Sequence, residues 1–113
     1  MIDQVRPIEL AAWFVEAGAH GVPVVLDVRE RAEVEVASIT PDGFELLVIP
    51  MGNVPARLAE LDPARPVACL CHHGIRSQRV AAFLAGNGFA RVANIAGDIE
   101  AWSREMDPSI AIY

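Results

Sequence analysis

Hydrophobic positions along the chain alternate between helical spacing and short unbroken apolar runs, the pattern of helices interleaved with buried strands. After a short extended start, Arg6-Pro7 opens a segment in which Leu10, Trp13, Phe14 and Ala17 recur at helical spacing, with Gly18 as its stop. Val22 to Val28 is a nearly continuous β-branched run, as expected of a parallel strand buried on both faces. Arg31 to Ala37 predicts a short helix, and Pro41-Asp42-Gly43 a turn before a strand over Glu45 to Ile49 that Pro50 ends. Val54 to Leu61 predicts a further helix, with Pro55 in its first turn and Leu58 and Leu61 on its apolar face. Asp62-Pro63 turns the chain into a strand over Pro66 to Leu70. A helix from about Ser77 to Asn87 follows, burying Val80, Phe83 and Leu84 and closed by Gly88. Arg91 to Ile95 reads as a strand. Gly97 precedes a last helical turn or two containing Ile99 and Trp102, and Asp107-Pro108 releases the tail.

This series predicts an α/β domain over residues 1–113, with a mainly parallel central sheet of about five strands, right-handed crossovers and helices on both faces. Ligands of such sheets bind at the C-terminal edge of the strands. Asp27-Val28-Arg29-Glu30 and the segment starting at Cys71 both fall at strand C-termini and are therefore expected on one rim.

Composition narrows the function. The apolar runs are too short for a membrane span, and Met1 to Arg6 lacks the basic start and apolar stretch of a signal peptide, so a cytoplasmic location and no membrane partner are expected. A formal charge of −6 argues against a nucleic-acid surface. All nine basic residues are arginines, which removes lysine Schiff-base and Walker-type chemistry.

The chemistry concentrates in Cys71-His72-His73-Gly74-Ile75-Arg76, between a strand and a helix. Unpaired N–H groups at a helix N-terminus, together with the helix dipole, favour a thiolate or persulfide at such a place. The loop amides and Arg76 are expected to lower the Cys71 pKa. Four residues separate Cys71 from Arg76. Phosphate-handling loops of this design are one residue longer and cradle a tetrahedral oxyanion above the sulfur. The shorter loop favours a sulfur-carrying cysteine over a phosphatase cysteine. Cys69 and Cys71 point to the same side of one strand and are badly placed for a disulfide, so Cys69 reads as a small core residue.

Several ordered motifs together resemble a single-domain rhodanese-like sulfurtransferase: Leu26-Asp27-Val28-Arg29-Glu30, Ile49-Pro50-Met51, the Cys71 loop with Ser77, Gly88-Phe89, and Gly97-Asp98-Ile99-Glu100-Ala101-Trp102. The resemblance implies a three-layer sandwich and a persulfide mechanism. Cys71 takes sulfur from thiosulfate or a protein persulfide and passes it to cyanide, a thiol or a protein acceptor, with no cofactor. It implies a persulfide-binding loop of His72, His73, Gly74, Ile75, Arg76 and Ser77, in which Arg76 could pair with an anionic donor and Gly74 allows the tight curvature.

His72 and His73 are read chiefly as loop-filling side chains that point outward, and adjacent ligands on one tight loop rarely close a metal site, so none is expected. Asp27 and Arg29 read as an ion-pair brace under the active loop, and Trp13 and Trp102 as core residues. The chain departs from relatives of that family in carrying Gly97-Asp98 for a Gly-Gly pair and Ala37-Ser38-Ile39 for Gly-His-Ile. Asp98 could place a carboxylate near the pocket and repel thiosulfate. The competing readings are a sulfur-relay or regulatory module with weak thiosulfate activity and, less favoured, a cysteine-dependent phosphatase or arsenate reductase.

Overall fold

A computed structural model describes residues 2–17, 22–72 and 74–113. Gly18, expected to stop the first helix, and His73 of the Cys71 loop lie outside the described residues. The chain runs β1 (Asp3–Val5), α1 (Leu10–Glu16), β2 (Val24–Asp27), α2 (Arg31–Val36), β3 (Glu45–Val48), β4 (Val67–Leu70), α3 (Ile75–Gly86), β5 (Val92–Ile95) and α4 (Asp98–Glu105). The five strands form one parallel sheet in the order β1-β5-β4-β2-β3. The extended start is thus a paired edge strand, with Gln4 opposite Asn94.

Strand alternation sorts the core into two layers. Val24, Leu26 and Val28 of β2 and its exit, with Val67, Cys69 and Cys71 of β4 and its exit, pack against Val80, Ala81 and Leu84 of α3 and against Val54 and Leu61. On the other face Val25, Ala68, Leu70, Ala93 and Ile95 meet Leu10 and Trp13 of α1 and Ile99 and Trp102 of α4. Helical material on both faces of a parallel sheet makes the expected three-layer α/β arrangement. Strands β2, β4 and β5 are buried along their whole length, whereas edge strand β3 is only partly covered.

Two local expectations are corrected. Residues 54–61 form no α-helix. The segment holds 3-10 turns at Met51–Asn53 and Leu58–Glu60. Pro55 has no N–H to give, the Arg57 amide is shared between the Asn53 and Val54 carbonyls, and the Glu60 and Leu61 amides reach back only three residues. With these amides bonded three residues back, the segment runs as turns, and Val54 and Leu61 are buried without an α-helix between them. Phe83, expected in the core, is half-buried at the margin of α3.

Candidate active site

The parallel register delivers the reactive loop to the middle of the sheet. β4 lies between β5 and β2, and Cys71 is the first residue beyond its end, fully enclosed at 0% exposure. The Val28 amide donates to the Leu70 carbonyl, which ties the β2 exit to the β4 exit, and the Ile99 amide donates to the Cys71 carbonyl, which ties the start of α4 to the loop. The two rims expected to meet do so, and α4 joins them.

Gly74 caps α3 with φ +79°, a left-handed conformation that glycine adopts without steric cost. The helix begins at Ile75, two residues earlier than the sequence pattern suggested, so Arg76 and Ser77 belong to its first turn. Cys71 Sγ lies 3.0 Å from Ser77 Oγ, 3.4 Å from the His72 carbonyl oxygen and 3.5 Å from Asp98 Oδ1. The amides of Ser77 and Gly74 also hydrogen-bond the sulfur. Asp98 is 4% exposed, and its φ of +60° puts an L-residue in the region glycine prefers.

The electrostatics depart from expectation. Burial pushes the Cys71 thiol above its ordinary pKa, and the Asp98 carboxylate adds to that rise, while the Ser77 hydroxyl, when its proton faces the sulfur, and the Ser77 and Gly74 amides work the other way without winning. The expected lowering assumed a guanidinium turned toward the sulfur. Arg76 is instead held by both oxygens of Glu33, its Nη2 at 2.8 Å from Oε2. That ion pair takes the Glu33 carboxyl from an ordinary 4.5 down to about 2. Burial pushes the Cys69 thiol up further still, and Cys69 and Cys71 are both free thiols.

Asp27 and Arg29 form a buried two-point ion pair, Nε to Oδ1 at 2.9 Å and Nη2 to Oδ2 at 2.7 Å, and the Arg29 amide donates to the same Oδ1. This is the geometry of a brace. Arg29 Nη1 continues to the Tyr113 hydroxyl at 3.0 Å, and that hydroxyl donates to Glu33 Oε2 at 2.9 Å. The Tyr113 ring stacks on His72, centroids 4.2 Å apart, so His72 is half-buried beneath the tail rather than directed outward. Ile75 is 65% exposed and lies on the outside of the loop.

Sequence reasoning missed Glu33, Tyr113 and Asn94. Glu33 carried one signal, its place three residues after Glu30 at a helix start, where its side chain caps the Glu30 amide. Asn94 carried another, a lone amide inside an apolar strand. Tyr113 carried none. Among the described residues no group of three or more His, Cys, Asp or Glu is arranged to hold a metal ion, and no helix is long and apolar enough to cross a membrane.

The parallel sheet, with helices on both faces and an enclosed cysteine at the C-terminal edge of its central strand, defines an α/β protein of the three-layer class. Residues 10–105 match the family model described as the rhodanese-like domain, and the chain belongs to that family. It is 36% identical over 88 residues to a sulfurtransferase of Allochromatium vinosum, covering 78% of each protein. It is 38% identical over 91 residues to the rhodanese-like/PpiC domain-containing protein 12, chloroplastic, of Arabidopsis thaliana, covering 79% of this chain but spanning only 30% of that protein. The crystal structure of a rhodanese-like domain protein from Staphylococcus aureus superposes with a TM-score of 0.73 at 25% identity, covering 99% of both chains. These relatives support a sulfurtransferase activity in general.

Proposed function

We propose that the protein carries sulfane sulfur as a persulfide on Cys71 and that it is loaded by a persulfide donor, held on a protein or a small thiol, in preference to thiosulfate. The observation that carries this reading is the Asp98 carboxylate 3.5 Å from Cys71 Sγ inside an enclosed pocket. Thiosulfate brings a dianion to that carboxylate, and the guanidinium of Arg76, expected to pair with an anionic donor, is engaged by Glu33. A persulfide donor delivers its outer sulfur with less charge.

In the forward step the Cys71 thiolate attacks the outer sulfur of R–S–SH. The new Cys71–S bond forms as the donor's S–S bond breaks, and the leaving thiolate R–S⁻ takes the electron pair. The amides of Gly74 and Ser77 face the sulfur and would hold the charged forms. An acceptor thiol or cyanide then attacks the outer sulfur, and Cys71 leaves as thiolate. Asp27 and Arg29 act as the brace at the β2 exit, and His72 and Arg76 position the loop that carries Cys71.

The test is the intact mass of the protein after incubation with a cysteine desulfurase and cysteine, or with thiosulfate alone, followed by cyanide. One added sulfur from the desulfurase, little from thiosulfate, thiocyanate on cyanide addition and neither in Cys71→Ser are expected. Equal loading from thiosulfate would overturn the donor preference, and loading that survives Cys71→Ser would overturn the carrier assignment.

A further inference from the structure

Asn94 is a 6% exposed amide in β5, beside Cys69 in the register of the sheet. It stands in the middle of an unbroken chain of polar groups that starts at the reactive sulfur. Cys71 Sγ is 3.0 Å from Ser77 Oγ, and the Ser77 hydroxyl donates to Asn94 Oδ1 at 2.5 Å. Asn94 Nδ2 donates to Gln4 Oε1 at 2.8 Å, and Gln4 Nε2 donates to Gln78 Oε1 at 2.8 Å. Pairing of β1 with β5 sets Gln4 opposite Asn94, and Gln78 follows Ser77 on α3, so the chain leaves the core between β1 and α3. Every donor along it points away from the sulfur.

That polarity matters because a serine hydroxyl has one proton. With the proton given to Asn94, Ser77 turns lone pairs toward Cys71, which suits an S–H and not an S⁻. Ser77 Oγ also lies 3.3 Å from the Gly74 carbonyl, a longer alternative for the same proton. If the Asn94 amide turns over, its Nδ2 faces Ser77 and the hydroxyl proton can go to the sulfur. Such a turn requires Gln4 and Gln78 to turn as well, so that Gln4 Nε2 donates to Asn94 Oδ1 and Gln78 Nε2 donates to Gln4 Oε1. All the bonds survive with their directions reversed.

We propose that Asn94 is a positioning residue that decides, through Ser77, whether the Cys71 sulfur meets a hydrogen-bond acceptor or a donor. The outward polarity holds the resting thiol, and reversal along Asn94, Gln4 and Gln78 presents the Ser77 O–H to the thiolate and persulfide. This inference rests on Cys71 being the reacting sulfur. Among the described residues, the other groups that act on that sulfur are Asp98 of α4, Cys69 of β4, the His72 carbonyl, the Ser77 and Gly74 amides, and the charge of Arg76 of α3, whose guanidinium is held on Glu33. They set the level of the equilibrium and are untouched by changes at Asn94 or Gln4.

The test is the pH profile of Cys71 alkylation, read by peptide mass so that Cys69 is counted separately, with no sulfur donor present. Asn94→Ala frees the Ser77 proton for the sulfur, and the thiolate fraction at neutral pH is expected to rise roughly three- to tenfold. In a Ser77→Ala background the same change should alter it by less than about twofold. Gln4→Leu, at an exposed position, releases the Asn94 amide without disturbing the core and should move the profile the same way, again only when Ser77 is present. Equal shifts with and without Ser77, or no shift in either folded variant, would overturn the proposal. Failure of the wild-type protein to accept sulfur would instead count against Cys71 as carrier and leave the alkylation comparison standing.

Discussion

Asp98 bears two local costs. Its φ of +60° is a conformation that costs an ordinary L-residue about 1–2 kcal/mol, less for aspartate. Its carboxylate is buried 3.5 Å from the Cys71 sulfur, whose ionisation it opposes. Gly74 and Gly97 flank it: a Cβ on Gly74 would come within 3.4 Å of Asp98 Oδ2, and one on Gly97 would strike Ala101 Cβ at 2.6 Å. Asp98→Gly should therefore raise stability by up to about 1 kcal/mol, read as a higher Tm. It should also move the Cys71 alkylation profile to lower pH, because one of the groups that raise the thiol pKa is gone. Thiosulfate loading should improve in parallel. An unmoved profile would place the control of Cys71 elsewhere. The sequence marked position 98 as a departure from the Gly-Gly pattern, but only the backbone shows that glycine is preferred there for its torsion as well as for its lack of charge.

At the scale of elements, the tail ties the Cys71 loop to the β2 exit and to α2. Tyr113 stacks on His72 and its hydroxyl links Arg29 to Glu33, while Glu33 holds Arg76 in the first turn of α3. Since Cys71 is fully enclosed, any donor must wait for this arrangement to open. Tyr113→Ala should speed both alkylation and sulfur loading of Cys71 by roughly two- to tenfold with little change in global stability. Tyr113→Phe, which keeps the stack and loses the hydroxyl links, should fall between. Equal rates in all three proteins would show that the tail does not limit access. Helix α3 was legible because its apolar positions repeat and Gly88 follows. The segment 54–61 misled because two leucines at helical spacing also fit 3-10 turns, and nothing local reveals that the Glu60 and Leu61 amides bond three residues back rather than four.

For the whole molecule, the charged residues at the sheet's C-terminal edge couple pH to stability. Glu33 is held at about 2 by Arg76, against an ordinary 4.5, so its contribution is fully present above pH 4.5 and disappears as pH falls toward 2. The pair is partly solvated, which limits it to about 1 kcal/mol or less. Glu33→Gln should lower urea-unfolding stability by that amount at pH 7, and the gap to wild type should close between pH 4.5 and 2. A gap that persists at pH 2 would mean that the loss is one of packing rather than of charge. The Asp27–Arg29 pair, wholly buried, is a different case, in which removal of either partner would strand a charge.

The sequence by itself determined the layer order and the reactive loop. Buried parallel strands need continuous apolar runs, helices need their own period, and a cysteine followed by a glycine-bearing turn at a strand end is a local pattern. It also determined that Cys69 and Cys71 share a face, since strand alternation is fixed by chain geometry. Tertiary structure alone decided what surrounds the sulfur. Arg76 meets Glu33 from α2, Tyr113 reaches His72 from the tail, and Asn94 reaches Ser77 from β5. These partners are far apart in sequence and no periodicity relates them. Charge and hydrogen-bond direction at Cys71 depend on distances of a few ångströms, which only the folded packing sets.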